Sequence, residues 1–141
     1  FANNDTPALF CGDTLFNAGV GHCKSGGNPE DLYETFINQI FNLPDHTKIY
    51  PGHDYWENNL KFTLDREPEN IKARDMINEE RIKNPNDPFV STLGMEKEVN
   101  TFFRLKNPNI IEKLREVFPK LSQNPEMREV FLKLRELRND W

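Results

Sequence analysis

The sequence predicts a mixed α/β chain in which a small piece of β-sheet precedes a larger helical part. Two short apolar segments, residues 8–11 (ALFC) and 47–50 (TKIY), are the only stretches typical of buried strands. Most of the remaining chain has apolar residues at helical spacing, separated by prolines. Because two short strands do not form a stable sheet by themselves, we expect the rest of the sheet to come from outside this chain.

Three Asn-Pro pairs are expected to begin helices, since Asn caps a helix N-terminus well and proline is favoured at the first helical position: Asn28-Pro29, Asn107-Pro108 and Asn124-Pro125. The helices behind them should end before Pro44, at Pro119 and at the last residue. Two more helices are predicted at residues 54–66 and 69–83, with a short helix after Thr92.

Composition and charge exclude several classes of protein. The formal net charge of −5 argues against a nucleic-acid-binding surface. No apolar run approaches the roughly 18–20 residues that a membrane span needs, so we expect no membrane insertion. Cys11 and Cys23 form neither a disulfide framework nor a CxxC pair, which favours a reducing, cytoplasmic location. The chain starts at Phe1 without Met or a signal peptide, so we expect it to begin inside a longer protein.

Candidate metal ligands follow both predicted strands. The segment LFCGDTLF leads from the first strand through a glycine to Asp13, and IYPGHDY leads from the second strand through a turn to His53. A carboxylate can bridge two cations with its two oxygens, and neutral imidazole is a common ligand of zinc and iron. Alone, each residue is more often an ordinary turn residue. Two strands that each deliver a ligand at the same end make a metal site the favoured interpretation.

These motifs resemble those of the glyoxalase II family of the metallo-β-lactamase superfamily. Residues 12–16 (GDTLF), followed by Ala18-Gly19, resemble one metal-binding motif of that family. Residues 52–62 (GHDYWENNLKF) resemble the second, and the segment 88–105 is similar to the family's helical domain. The resemblance covers nearly the whole chain in order.

The resemblance implies a fold, an activity and a metal site. Residues 1–53 would be the second half of an αββα catalytic sandwich, and residues 54–141 an all-α C-terminal domain that closes over the substrate. The implied activity is hydrolysis of S-(2-hydroxyacyl)glutathione, such as S-lactoylglutathione, to glutathione and a 2-hydroxy acid. Two divalent ions (zinc, iron or manganese) would activate water, with Asp13 bridging both and His53 binding one. No catalytic residue beyond the metal ligands is implied.

The resemblance also implies residues that bind the small-molecule glutathione thioester. Tyr55 and Asn59, one helical turn apart, would line the substrate cleft. Arg135 and Arg138, on the last predicted helix, would bind the glutathione carboxylates. Without the resemblance, this pair would be interpreted as part of a solvated basic face, since acidic residues surround it.

The chain departs from the family pattern in two places. The family's first metal motif, His-x-His-x-Asp-His, is absent from the sequence. We therefore expect the chain alone to hold no metal tightly and to be inactive, the other ligands coming from a missing N-terminal half. In addition, His22-Cys23-Lys24 stands where the family has a basic residue and an aromatic residue for glutathione. We still expect His22 and Lys24 beside the cleft.

Two alternatives stay open at this point. The His-Cys-Lys departure is compatible with a related hydrolase of the same superfamily that acts on a different thioester or a persulfide. The chain could also be a metal-free interaction module that uses its helical part for binding, although an uncovered half of a sandwich would expose a large apolar patch.

Overall fold

The computed structural model describes residues 7–80 and 89–141. Its elements in chain order are β1 (Ala8–Gly12), β2 (Leu15–Phe16), β3 (Gly19–Val20), α1 (Pro29–Thr35) with a π-helical extension (Phe36–Ile40), β4 (Lys48–Pro51), α2 (Trp56–Arg66), α3 (Ile71–Glu80), β5 (Ser91–Thr92), α4 (Leu93–Val99), a 3₁₀ turn (Thr101–Phe103), α5 (Pro108–Val117) and α6 (Met127–Asn139). The prediction of a mixed α/β chain with a small sheet and a larger helical part is confirmed. No helix in the described ranges has the length and apolarity to cross a bilayer.

The two predicted strands are parallel neighbours in a three-stranded sheet of order β1-β4-β5. Leu9 lies opposite Ile49, and the register shifts between Phe10 and Gly12. Ile49 is completely buried, whereas Phe10 is 68% exposed and its ring stacks on Tyr50 at a centroid distance of 5.0 Å. One part of this small sheet therefore presents an exposed phenylalanine that stacks on a half-buried tyrosine.

A β-hairpin that the sequence did not predict connects the end of β1 to the loop before α1. Strands β2 and β3 pair in antiparallel fashion, with Leu15 opposite Val20. The turn between them contains Asn17 and Ala18, and Ala18 has a positive φ of 57°, which non-glycine residues seldom adopt. Each strand has only two residues, so neither produces a detectable alternation in the sequence.

Two of the three predicted Asn-Pro helix starts are confirmed. The side chain of Asn28 accepts the N–H of Glu30, and Asn107 caps α5 in the same way. The third prediction is wrong, because α6 begins at Met127 and Asn124-Pro125 precedes it. The N–H of Asn124 instead donates to Ser122 Oγ at 3.0 Å, which places this residue in a local turn before the helix.

The other predicted helix boundaries agree within a few residues. The π-helical extension ends before Pro44, and α5 ends just before Pro119. Helices α2 and α3 each begin two residues later than predicted, and residues 81–83 of the predicted third helix lie outside the described ranges. The short helix after Thr92 is α4, whose N-terminus this threonine caps. Helix α6 ends at Asn139 and does not reach the last residue.

The hairpin lies between two apolar cores. Leu15 and Val20 belong to the larger core, which α1, α5 and α6 also build. Ala18, in the hairpin turn, belongs to a second core formed by residues of α2, α3 and α4. The hairpin therefore packs against both parts of the helical layer, and its position depends on both.

Candidate functional site

Asp13 and His53 converge at one edge of the sheet. Strands β1 and β4 run parallel, so the residues that follow them leave the sheet at the same end. Asp13 Oδ1 lies 3.4 Å from His53 Nε2, with 72% and 57% of the two side chains exposed. The N–H of Gly52 donates to the carbonyl of Gly12 at 2.8 Å and joins the two loops. A Cβ at position 52 would lie 2.9 Å from Asp13 Oδ1, so a side chain there would disturb the convergence.

The two side chains fit part of a metal site. A carboxylate oxygen and an imidazole nitrogen are donors that zinc, iron and manganese accept. Both side chains are exposed, and their donor atoms lie close enough together to bind the same metal ion or two neighbouring metal ions. Within residues 7–80 and 89–141, however, no group of three or more His, Cys, Asp and Glu side chains is arranged to hold a metal.

A cavity of about 270 Å³ lies next to this edge, between the hairpin, the start of α2 and the end of α6. All six residues predicted to bind substrate line it: His22, Lys24, Tyr55, Asn59, Arg135 and Arg138. Their roles in binding stay a prediction. A larger cavity of about 500 Å³, lined by Phe41, Phe103 and Lys106 among others, contains none of the predicted site residues. The smaller cavity is therefore the better candidate site.

Two aromatic rings connect the cavity to the Asp-His edge. Tyr55 lines the cavity and stacks on His53 at a centroid distance of 5.6 Å. Phe16, which also lines the cavity, meets the Tyr55 ring edge-on at 5.0 Å and lies 6.4 Å from the His53 ring. A molecule bound in the cavity would therefore lie one ring away from the candidate metal ligands. Phe16 was not among the site residues predicted from the sequence, although it belongs to the GDTLF motif.

Both terminal nitrogens of the Arg135 guanidinium are hydrogen-bonded within the protein. Only 3% of the residue is exposed. One terminal nitrogen donates to the carbonyls of Val20 and Gly21 at 3.0 and 2.9 Å, and the other donates to Asn139 Oδ1 at 3.1 Å. Burial, and then repulsion from Arg138, lowers the pKa of Arg135 to about 10, so it remains cationic at neutral pH. Arg135 thus fixes the end of the hairpin and places a positive charge behind the cavity.

Arg138 is more accessible to the cavity than Arg135. Its guanidinium donates to Asn59 Oδ1 at 3.0 Å and lies 5.8 Å from the centre of the Phe62 ring. Burial lowers its pKa below the ordinary value. Asn59 is 3% exposed, and both the nitrogen and the oxygen of its side-chain amide are hydrogen-bonded within the protein. Its main role in the cavity is therefore to orient Arg138.

His22 and Lys24 form the rim of the cavity opposite α2. The N–H of Lys24 donates to His22 Nδ1 at 3.2 Å, which joins the two rim residues. Lys24 Nζ donates to the carbonyl of Asn139, the last residue of α6, at 2.8 Å. The rim is therefore tied to the end of α6, where a cation is electrostatically favoured.

Comparisons with known proteins test the family resemblance of the chain. Residues 54–141 match the family model described as hydroxyacylglutathione hydrolase C-terminus. The chain is 61% identical over 141 residues to the hydroxyacylglutathione hydrolase of Nitrosococcus oceani, which covers all of this chain and 54% of that protein. The identity to the Polaromonas sp. protein of the same name is 53% over 140 residues, covering 99% of this chain and 53% of the relative.

A solved structure, that of ETHE1 from Myxococcus xanthus, aligns with 94% of this chain and 37% of its own, at 23% identity and a TM-score of 0.48. The chain spans about half the length of the curated relatives it matches. The family model and these identities confirm the resemblance found in the sequence, and the chain belongs to the hydroxyacylglutathione hydrolase, or glyoxalase II, family.

Proposed function

We propose that the protein containing this chain hydrolyses S-(2-hydroxyacyl)glutathione, such as S-lactoylglutathione, to glutathione and a 2-hydroxy acid. The observation that carries the proposal is the convergence of Asp13 and His53 one aromatic ring away from a cavity lined by cationic side chains. The curated relatives are named hydroxyacylglutathione hydrolase, which supports the same substrate class.

The cavity suits the chemistry of glutathione. The tripeptide carries two carboxylates, and cationic groups in a partly desolvated cavity bind carboxylates with charge-assisted hydrogen bonds. Arg138 and Lys24 supply such groups at the surface of the cavity, and the buried charge of Arg135 adds to the field. We propose that these residues orient the thioester so that its carbonyl reaches the Asp-His edge past the rings of Tyr55 and Phe16.

Two divalent ions are proposed for the full protein, with Asp13 and His53 among their ligands. When bound, such ions polarise the substrate carbonyl and lower the pKa of water. The other ligands would come from outside this chain, since the described residues offer only this pair. The exposed ring of Phe10, stacked on Tyr50, supports a further polypeptide segment against the sheet. We also propose the domain division expected from the sequence, a sandwich half at 1–53 and a helical domain at 54–141.

In this proposal the residues of the chain hold and orient the reactants. Water adds to the acyl carbon, the carbon–sulfur bond breaks, and the glutathione sulfur leaves with a proton from solvent. Arg138 and Lys24 hold the carboxylates, which limits the rotation of the substrate. Phe16 and Tyr55 provide apolar surface between the cavity and the Asp-His edge, along which the acyl group of the substrate can pack.

The proposal is tested with Arg138→Ala in the full-length, metal-loaded protein and S-lactoylglutathione as substrate. Loss of a charge-assisted hydrogen bond to substrate should raise KM by roughly tenfold and change kcat by less than about twofold. Arg128→Ala is the matched control, because Arg128 lies on the same helix and pairs with Glu30 away from the cavity. A protein that does not hydrolyse this thioester at all would refute the proposal.

A related hydrolase with a different substrate is the alternative that the rim of the cavity keeps open. His22-Cys23-Lys24 stands where the family has a basic residue and an aromatic one, and Lys24 is held by Asn139 in this chain. A related hydrolase that acts on another thioester or on a persulfide would have a higher kcat/KM for that substrate than for S-lactoylglutathione. Side-by-side rates on these substrates decide between the two.

A further inference from the structure

A buried carboxylate lies behind the cavity and is not used in the proposed reaction. Glu96, on α4, is completely buried, and no ion pair among the described residues includes it. Its Oε2 accepts the N–H of Ala18 at 2.8 Å and the amide of Asn100 at 3.0 Å, and its Oε1 accepts the hydroxyl of Ser91 at 2.5 Å. Because a buried carboxylate is costly, these hydrogen bonds must hold their partners firmly.

This carboxylate controls three consecutive residues in the hairpin turn. Ala18 is bound directly. Asn17 donates to Ser91 Oγ at 2.7 Å, and Asn100 donates to the carbonyl of Gly19 at 3.2 Å, so both neighbours are bound through a single intermediate side chain. Ala18 also has the left-handed backbone conformation that the turn needs and that alanine seldom adopts. The network therefore holds a turn that its own sequence does not favour.

The hairpin turn also fixes Asn59, a side chain that lines the cavity. Asn59 donates its amide nitrogen to the carbonyl of Asn17 at 2.9 Å. With the nitrogen used in this way, the amide oxygen faces Arg138 and accepts its guanidinium at 3.0 Å. A chain of hydrogen bonds thus runs from α4 through the hairpin turn and α2 to α6.

We propose that Glu96 is a positioning residue for substrate binding, which sets the direction of the Arg138 guanidinium through the hairpin turn and the amide of Asn59. The inference rests on the proposed function in that Arg138 holds a substrate carboxylate. Loss of the Glu96 carboxylate releases the turn, the Asn59 amide rotates, and Arg138 loses its orientation. Asp13 lies at the other end of the hairpin and is held separately through the Gly12–Gly52 contact, so the catalytic step is affected less than binding.

The test is a double-mutant cycle in the full-length, zinc-loaded protein, with Glu96→Ala, Arg138→Ala and the double variant assayed on S-lactoylglutathione. We expect Glu96→Ala to raise KM about tenfold with kcat changed less than about threefold. In the Arg138→Ala background the same substitution should raise KM by less than about twofold. Glu96→Gln keeps an acceptor for Ala18 and Asn100, so it should recover most of the affinity and covers the case in which Glu96→Ala does not fold.

A second readout does not depend on substrate. In ¹⁵N-labelled protein, the side-chain amide protons of Asn59 should exchange slowly, and Glu96→Ala should accelerate that exchange. Leu114→Ala, in the larger core and outside this hydrogen-bond network, is the stability control and should leave both the exchange and KM unchanged. Unchanged Asn59 exchange in Glu96→Ala, or an equal rise in KM with and without Arg138, overturns the inference. If Arg138→Ala leaves KM unchanged, the proposed role of Arg138 fails instead, while the exchange still decides whether Glu96 holds Asn59.

Discussion

The side-chain amide of Asn59 lies directly against the Cα of Gly19. A Cβ built at position 19 would be 2.7 Å from Cγ of Asn59, closer than side chains tolerate. Asn59 cannot move away without loss, because its amide is buried and hydrogen-bonded to Asn17 and Arg138. The backbone at Gly19 does not adopt the left-handed conformation, so the absence of a side chain there serves this contact and not the shape of the turn.

Gly19→Ala should therefore displace the Asn59 amide and, with it, the guanidinium of Arg138. In the full-length protein we expect KM for S-lactoylglutathione to rise about tenfold, with a smaller change in kcat. Gly27→Ala is the control, since a Cβ there would make only ordinary contacts with Cys23 at 3.6 Å. A KM as low as that of the control would show that the Gly19–Asn59 contact has no effect on binding.

Glu96→Gln should change how stability depends on pH. Burial raises the pKa of Glu96 above its ordinary value of 4.5, so the folded protein holds this proton more tightly than the unfolded chain. The contribution of Glu96 to stability is then fully present below the unfolded pKa and is lost as the pH rises towards the folded pKa. Glutamine does not titrate. The free energy of unfolding of the variant, minus that of the wild type, should increase with pH in this window by up to about 1.4 kcal/mol per pH unit.

Urea unfolding of the metal-free protein at a series of pH values measures that difference. A difference that stays constant from below pH 4.5 upward would mean that Glu96 titrates in the folded state as it does in the unfolded chain. The comparison within one pair of proteins removes the contribution of the other carboxylates, which the two share.

The ion pair between Arg104 and Glu67 should contribute strongly to the stability of the helical part. Glu67 is 3% exposed, and Arg104 Nε donates to its carboxylate at 2.8 Å. Arg104→Ala leaves this buried carboxylate without a cation, so we expect a loss of about 3 kcal/mol in the free energy of unfolding. The exposed pair of Arg128 and Glu30 is the control, and Arg128→Ala should cost below about 1 kcal/mol. Equal losses in the two variants would contradict the prediction.

Asp13→Asn should lower the metal content and the activity of the full-length protein together. An amide offers one neutral oxygen where the carboxylate offers two charged ones, so it cannot bridge two cations in the same way. We expect loss of at least one equivalent of metal by elemental analysis and a fall in kcat of more than about a hundredfold. Asp31→Asn, at an exposed position in the first turn of α1, should change neither.

Expressed alone and purified without chelator, the 141-residue chain should retain little metal. Asp13 and His53 supply two ligands, and a tight binuclear site needs several more. Elemental analysis of the purified chain measures this directly. Close to two equivalents per chain would mean that the described residues contribute more ligands than the structure indicates, or that a second polypeptide completes the site.

The convergence of Asp13 and His53 could be predicted from the sequence because each follows an apolar strand, and parallel strands end at the same edge of a sheet. The prediction that Arg135 and Arg138 line the cavity came from the family resemblance. The sequence of the helix itself favours a solvated basic face at these positions, because acidic residues surround them. That Arg135 is buried and bound to the carbonyls of the hairpin is a tertiary effect that no local pattern contains.

The network behind the cavity was not predictable for a related reason. Glu96 follows the capping residue Thr92 in the first turn of α4, where an acidic residue is ordinary and normally exposed. Its burial depends on Ala18, which is 78 positions away in the sequence. Strands β2, β3 and β5 were missed because two residues show no alternation, and Asn124-Pro125 was misassigned because a local serine turn competes with helix capping.

The hydrogen bonds from Arg135 to Val20 and Gly21 should also determine when the cavity forms during folding. They join residues 115 and 114 positions apart, so they close a loop that includes most of the chain, and contacts of that range form slowly during folding. A refolding intermediate with its helices already formed would still lack the cavity. We therefore expect glutathione binding to return later than the helical circular dichroism signal when the full-length protein refolds from urea. Simultaneous recovery in a stopped-flow experiment would show that the two ends of the chain meet as early as its helices form.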